Sequence, residues 1–237
     1  MTSLVYAAAA GAANVLGAAA VTARRTWSTR SLELLIALSA GFMISVSLAD
    51  IIPAALRNAG ETAAFTVLAG FLLVHLTQHA LVGHFHFGEE THEVSRRVRL
   101  SALAGLLLHT FVDGVAIASA FLVNTEMGVL VFVAIFLHKL PEGLAISSLT
   151  LAGGGSRSAA IGAAALLGTA TLAGALLTTS VEPLARYGLG LSGGVTLYVG
   201  ASNLIPEFQG KAGWSHNLAF FGGCALYLAA RLVAGGL

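Results

Sequence analysis

The chain is poor in charge. Of its 237 residues only 10% are Asp, Glu, Lys or Arg, twelve basic against eleven acidic, where a soluble domain carries roughly a quarter. With 57% hydrophobic residues and a mean hydropathy of +0.85, that deficit excludes an ordinary soluble domain and points to an integral membrane protein. A formal charge of +1 leaves no basic surface for nucleic acid. The single cysteine, Cys224, excludes an internal disulfide and a Cys-rich metal site, and reads as a small apolar residue between helices. Basic residues are also missing ahead of the first apolar run, 4–21. Met1-Thr2-Ser3 precedes it and Arg24, Arg25 and Arg30 follow, the reverse of a cleaved signal peptide, so a retained helix with its N-terminus outside is expected.

What is present is a succession of apolar runs, each long enough to cross a hydrocarbon core roughly 30 Å thick. Eight spans are predicted, near 3–23, 32–56, 63–87, 98–122, 127–150, 157–181, 186–206 and 214–235, joined by short links marked by Gly, Asn or charge. The expected fold is a single all-α transmembrane domain over 1–237. With the N-terminus outside, the inner side holds Arg24, Arg25, Arg30, Arg96, Arg97, Arg99, Arg157 and Lys211, and the outer side only Arg57, Arg186 and Arg231. The excess of inner positive charge agrees with the rule for cytoplasmic loops. It orients both termini to the extracellular or periplasmic side of a cell (inner or plasma) membrane and puts the 88–97 loop in the cytoplasm.

Spans two and seven share a pattern. GFMISVSLADIIP runs from Gly41 to Pro53 and GVTLYVGASNLIP from Gly194 to Pro206, with Gly, Val, Ile and Pro aligned at one offset and Asp50 matched to Asn203. The two spans run in opposite directions. Such symmetry marks an inverted repeat, spans one to three against six to eight, with spans four and five central.

Those central spans carry the chemistry. His109 with Asp113 and His138 with Glu142 are each four residues apart, so each pair shares a helix face. Both histidines lie about ten residues into their spans, roughly 15 Å deep and near the midplane. A charged residue at that depth costs roughly 2.5–3.5 kcal/mol, and this pair of spans holds Asp113, Lys139 and Glu142. A divalent cation offsets the cost. Two nitrogen and two oxygen ligands suit Zn²⁺, and also admit Fe²⁺, Mn²⁺, Co²⁺ or Cd²⁺. Pro141, inside the second motif, removes a helical hydrogen bond and frees a carbonyl one turn earlier.

The motif His109-Thr110-Phe111-Val112-Asp113-Gly114 resembles the HNxxDG of the fourth helix of the ZIP (Zrt/Irt-like) metal transporters, and His138-Lys139-Leu140-Pro141-Glu142-Gly143 resembles the HExPEG of the fifth. The stretch from Leu197 to Glu207 and the His-containing loop after span three fit the same family. The resemblance implies uptake of divalent metal toward the cytoplasm through a midplane site that in many members holds two ions. Here the positions of the second ion's ligands are Thr110, Lys139 and Thr171, which suggests a single-metal site with the Lys139 ammonium in place of the second cation.

Met43, Ser47 and Asp50 share a face near the outer end of span two and are read as an entrance lining. Thr196, Gly200, Asn203 and Glu207 share one on span seven and are read as an exit lining, with helix capping the competing role for each. His75 and His79, one turn apart at the inner end of span three, are candidates to receive departing metal, ahead of His84, His86 and His92. The expected function is transport by alternating access, with the metal as cargo, no resident cofactor, and the bilayer as the other partner. A homodimer is compatible with the sequence. A membrane metalloenzyme is the alternative, weakened because His138 is followed by Lys139 where an HExxH motif has its Glu. A metal-binding sensor is another, without an output domain.

Overall fold

The computed structural model describes residues 1–23, 29–80, 96–206 and 208–233, and the long segments among them are helical, with no strand. They form eight rods. The first is α1 (Thr2–Ala23), and the second joins α2 (Thr29–Val46), a π-helical turn (Ser47–Ile51) and α3 (Ile52–Ala59) end to end. Then come α4 (Glu61–Ala80), α5 (Arg96–Val123), α6 (Thr125–Ala152), α7 (Arg157–Ser180), α8 (Glu182–Tyr198) with a second π turn (Val199–Leu204), and α9 (Ser215–Val233). Local signals set the ends. Gly60 leaves α3 at φ 58°, Asn124 accepts from the Met127 N–H at 2.7 Å to start α6, and Ser156 accepts from Ala159 at 3.1 Å to start α7. Most of the 88–97 loop, with His84, His86 and His92 around it, lies outside the described residues.

Six of the rods are long and apolar enough to cross a membrane by length and composition. The other two, α8 and α9, carry more polar residues, and the fold accounts for them. α8 is enclosed by its neighbours over Gly188–Gly190, Ser192–Thr196 and Tyr198, so protein rather than lipid surrounds most of it. Three polar residues of α9, His216, Tyr227 and Arg231, are paired with the second rod. Arg231 Nη2 lies 3.5 Å from Asp50 Oδ1 and Tyr227 OH donates to Asp50 Oδ2 at 2.5 Å, while at the opposite end His216 Nε2 lies 3.0 Å from Glu33 Oε2 and Lys211 pairs with Glu33. The second rod and α9 are therefore tied at both ends.

The repeat read in spans two and seven extends to the packing. The two π turns occupy equivalent positions, each just before its proline: the Ile52 N–H bonds to the Ser47 carbonyl, and the Ile205 N–H to that of Gly200. Two close helix crossings are equivalent as well. A Cβ on Gly41 would stand 2.0 Å from the Phe220 carbonyl, and one on Gly194 would stand 1.9 Å from that of Val67. Residue 194 follows 41, and 220 follows 67, by the same 153 positions. One pseudo-two-fold operation thus exchanges α2 packed on α9 with α8 packed on α4.

The same operation holds in the remaining bundle of α1, α5, α6 and α7, where α1 packs on α6 and α7, and α5 packs on both as well. Gly17 meets the backbone of Leu140 and Leu144, and Gly174 meets that of Phe111 and Val115. Gly143 meets Asn14 and Gly114 meets Thr171, while Gly11 and Gly168 meet each other. Each α1 residue maps 157 positions onward into α7, and each α5 residue 29 positions onward into α6. Under that mapping His109 becomes His138, Asp113 becomes Glu142 and Thr110 becomes Lys139.

These crossings leave no room for a side chain. A Cβ on Gly114 would lie 1.9 Å from the Thr171 carbonyl, which only backbone movement relieves. Gly114→Ala should cost about 1–3 kcal/mol of stability through overpacking. Thermal melting in detergent checks it, and an unchanged melting temperature would contradict the close approach.

Candidate metal centre

α5 and α6 each have 28 residues, and His109 and His138 sit at their midpoints. Facing residues one helical turn further on are Asp113 and Glu142, so the two i,i+4 pairs converge where the helices cross. One ligand atom from each of the four lies within 4.8 Å of the others. Asp113, His138 and Glu142 are buried, and His109 is mostly so.

The spacing of these atoms is also that of ligands around one small cation. His109 Nε2 and His138 Nε2 stand 3.4 and 3.3 Å from Asp113 Oδ2. Ligands about 2.1 Å from a tetrahedral zinc are separated by about 3.4 Å. His138 Nδ1 lies 3.1 Å from the Ala134 carbonyl, which can only accept, so Nδ1 carries a proton and Nε2 is the ring atom turned to the carboxylate. Glu142 Oε1 and His109 Nδ1 are buried without any partner.

Lys139 is fully buried beside this set, its Nζ 2.7 Å from Asp113 Oδ2 and 2.8 Å from Glu142 Oε2. It therefore neither faces lipid nor reaches a membrane surface. The two threonines at the other second-ion positions offer nothing to the centre: Thr110 Oγ1 donates to Leu107 O at 3.1 Å and Thr171 Oγ1 to Leu167 O at 3.3 Å, each on its own helix. Pro141 leaves the Leu137 carbonyl without its helical donor, and Ser39 Oγ approaches it from α2 at 3.2 Å.

The residues read as a path are placed differently from one another. Met43 and Ser47 are fully buried, and Ser47 Oγ donates to Gly193 O at 2.9 Å. Asp50 is buried too, engaged by Tyr227 and Arg231. Asn203 is half-buried in the second π turn, and His75 Nδ1 lies 3.3 Å from Tyr198 OH. Glu207 and the His79 side chain lie outside the described residues. Two functional-looking residues, Glu33 and Tyr227, have no place in the sequence pattern above, and Glu33 is paired with the buried His216. Glu33 carries a usable signal, an acid inside an apolar run.

A model of the ZIP zinc-transporter family matches residues 77–230, well over half of the chain and including both His/carboxylate motifs. The chain belongs to the ZIP family. Relatives include the zinc transporter YKE4 of Saccharomyces cerevisiae, 22% identical over 84% of this chain and 67% of its own length. Zinc transporter ZIP9-B of Xenopus laevis is 31% identical over 64% of this chain and 54% of its own, and human zinc transporter ZIP6 is 27% identical over 65% and 22%. The chain thus spans about half the length of the ZIP9 relative. Family and fold together make it an all-α, multi-pass membrane protein, and the relatives it matches are named zinc transporters.

Proposed function

We propose that this ZIP protein carries a divalent transition metal, Zn²⁺ foremost, into the cytoplasm by alternating access around one ion held by His109, Asp113, His138 and Glu142. The observation that carries this reading is the convergence of four buried ligand atoms within 4.8 Å at the midpoints of two crossing helices. Such a set takes a cation from water without leaving bare charge in the membrane, and no covalent step is needed. The Lys139 ammonium on both carboxylates, with Thr110 and Thr171 turned to their own helices, supports one ion rather than two.

The inverted repeat supports alternating access, since exchanging the conformations of the halves moves the opening from one side to the other. Metal would enter on the outer side past Asp50, Ser47 and Met43, and leave on the inner side past Asn203, Glu207, His75 and His79, with both chain termini outside. A metalloenzyme or sensor would bind metal without moving it. Reconstituted protein should accumulate ⁶⁵Zn²⁺ inside liposomes and hold close to one Zn²⁺ per chain by mass spectrometry. Binding without uptake would sink the transport reading, and two tightly held ions per chain would sink the single-ion site.

A further inference from the structure

Asn14 is the one polar residue on the buried face of α1 that lies deep within the helix, and it is fully buried. Its side-chain oxygen and nitrogen both lack a hydrogen-bond partner. An amide can make up to four such bonds, and leaving them unmade away from water is costly. Alanine, which makes up much of the same face at Ala7, Ala10, Ala13 and Ala18, would avoid that cost.

The helix geometry says where the amide points. Gly11 faces Gly168 of α7, and Gly17 faces Leu140 and Leu144 of α6. Residue 14 lies midway between them, and at 3.6 residues per turn its direction bisects theirs, into the interior of the bundle formed by α1, α5, α6 and α7. Its own backbone lies against Gly143, a Cβ there standing 2.0 Å from the Asn14 carbonyl, so Asn14 is level with the neighbouring Glu142. Glu142 Oε1 is the unpartnered acceptor at that level. The pseudo-two-fold axis gives a second indication. Asn14 stands to Glu142 and Gly143 as Thr171 stands to Asp113 and Gly114, but Thr171 spends its hydroxyl on Leu167 O while Asn14 keeps its donors free.

We propose that Asn14 is a positioning residue of the metal centre, its Nδ2 amide holding Glu142 Oε1, directly or through one water, while the carboxylate turns from Lys139 to the ion. This inference rests on the four-residue site proposed above. An amide in that place fixes the carboxylate's orientation without adding charge, as partners behind metal ligands do.

The test is Zn²⁺ titration by calorimetry, with thermal melting of metal-free protein, on the full chain in detergent. Asn14→Ala and Asn14→Leu should melt no lower than the native protein when metal-free, because they remove an unsatisfied amide. Both should bind Zn²⁺ about tenfold more weakly, the usual loss for a partner behind a ligand. Unchanged affinity in Asn14→Ala, which cannot clash, would overturn the proposal, as would a lowered melting temperature with unchanged affinity, the mark of a purely structural amide. Tighter binding by Asn14→Asp would make residue 14 a ligand and also overturn the positioning role. Native protein and His138→Ala are measured alongside. If the native chain binds no Zn²⁺, or His138→Ala binds as the native chain does, the four-residue site itself fails and this inference falls with it; if those controls behave, only the role of Asn14 is at stake.

Discussion

Lys139→Met should tighten Zn²⁺ binding by about 100-fold and at the same time lower the melting temperature of the metal-free protein. The ammonium touches a carboxylate oxygen of Asp113 and one of Glu142, so an arriving divalent ion meets a like charge at its own ligands. Unit charges about 4 Å apart interact by about 4 kcal/mol at an effective dielectric constant near 20, and the repulsion scales with the ion's second charge. Part of that is relieved when the lysine swings aside, leaving about 3 kcal/mol, or two orders of magnitude in affinity. Without metal the same substitution leaves two buried carboxylates facing each other with no cation, which destabilises the bundle. Calorimetry and melting with and without Zn²⁺ give the two signs separately. Unchanged or weaker binding would mean that Lys139 does not compete for the site. Tight binding also slows release, so uptake by Lys139→Met should saturate at lower metal concentration and at a lower rate.

Asp113→Ala should abolish metal uptake and cost about 3–5 kcal/mol of stability, the penalty for leaving one member of a buried ion pair without its partner. One oxygen, Oδ2, is approached by His109, His138 and Lys139 together, so no other residue replaces it. The double variant Asp113→Ala/Lys139→Met separates the two effects. Removing the ammonium as well should recover much of the stability while uptake stays at background. If instead the double variant transports, Asp113 holds only the lysine and is not a metal ligand.

The helix count and the two His/carboxylate pairs were readable because they rest on local quantities: run length, and a four-residue spacing that any α-helix turns into a shared face. Asn14 and Thr171 show the limit. Both sit in runs of Ala, Gly and Leu, and only the structure reveals that one has an unpartnered amide on a backbone packed against Gly143 while the other bonds its own helix. Asp50 shows another limit. Its place near the end of span two is plain in the sequence, yet its partners Tyr227 and Arg231 lie some 180 residues away, and no local pattern links them. The repeat itself was legible over 41–53 and 194–206. The pairing of α1 with α7 followed only from that stretch, and the residue-by-residue match there and between α5 and α6 was not legible, because it lies in which backbones touch rather than in which residue types recur.

The ties between α9 and the second rod have no image under the pseudo-symmetry. Asp50, Tyr227 and Arg231 correspond to Asn203, Val74 and Gln78, and Glu33 with His216 to Arg186 and Ala63, so the mirror pair α4 and α8 has no equivalent set of charges. A carrier that works by trading the shapes of its halves has two mirror-image states, equal in free energy only when the halves are equal. If the proposed alternating access parts these helices, the state that keeps the ionic contacts is favoured before any ion binds, and part of the ion's binding energy would go into breaking them.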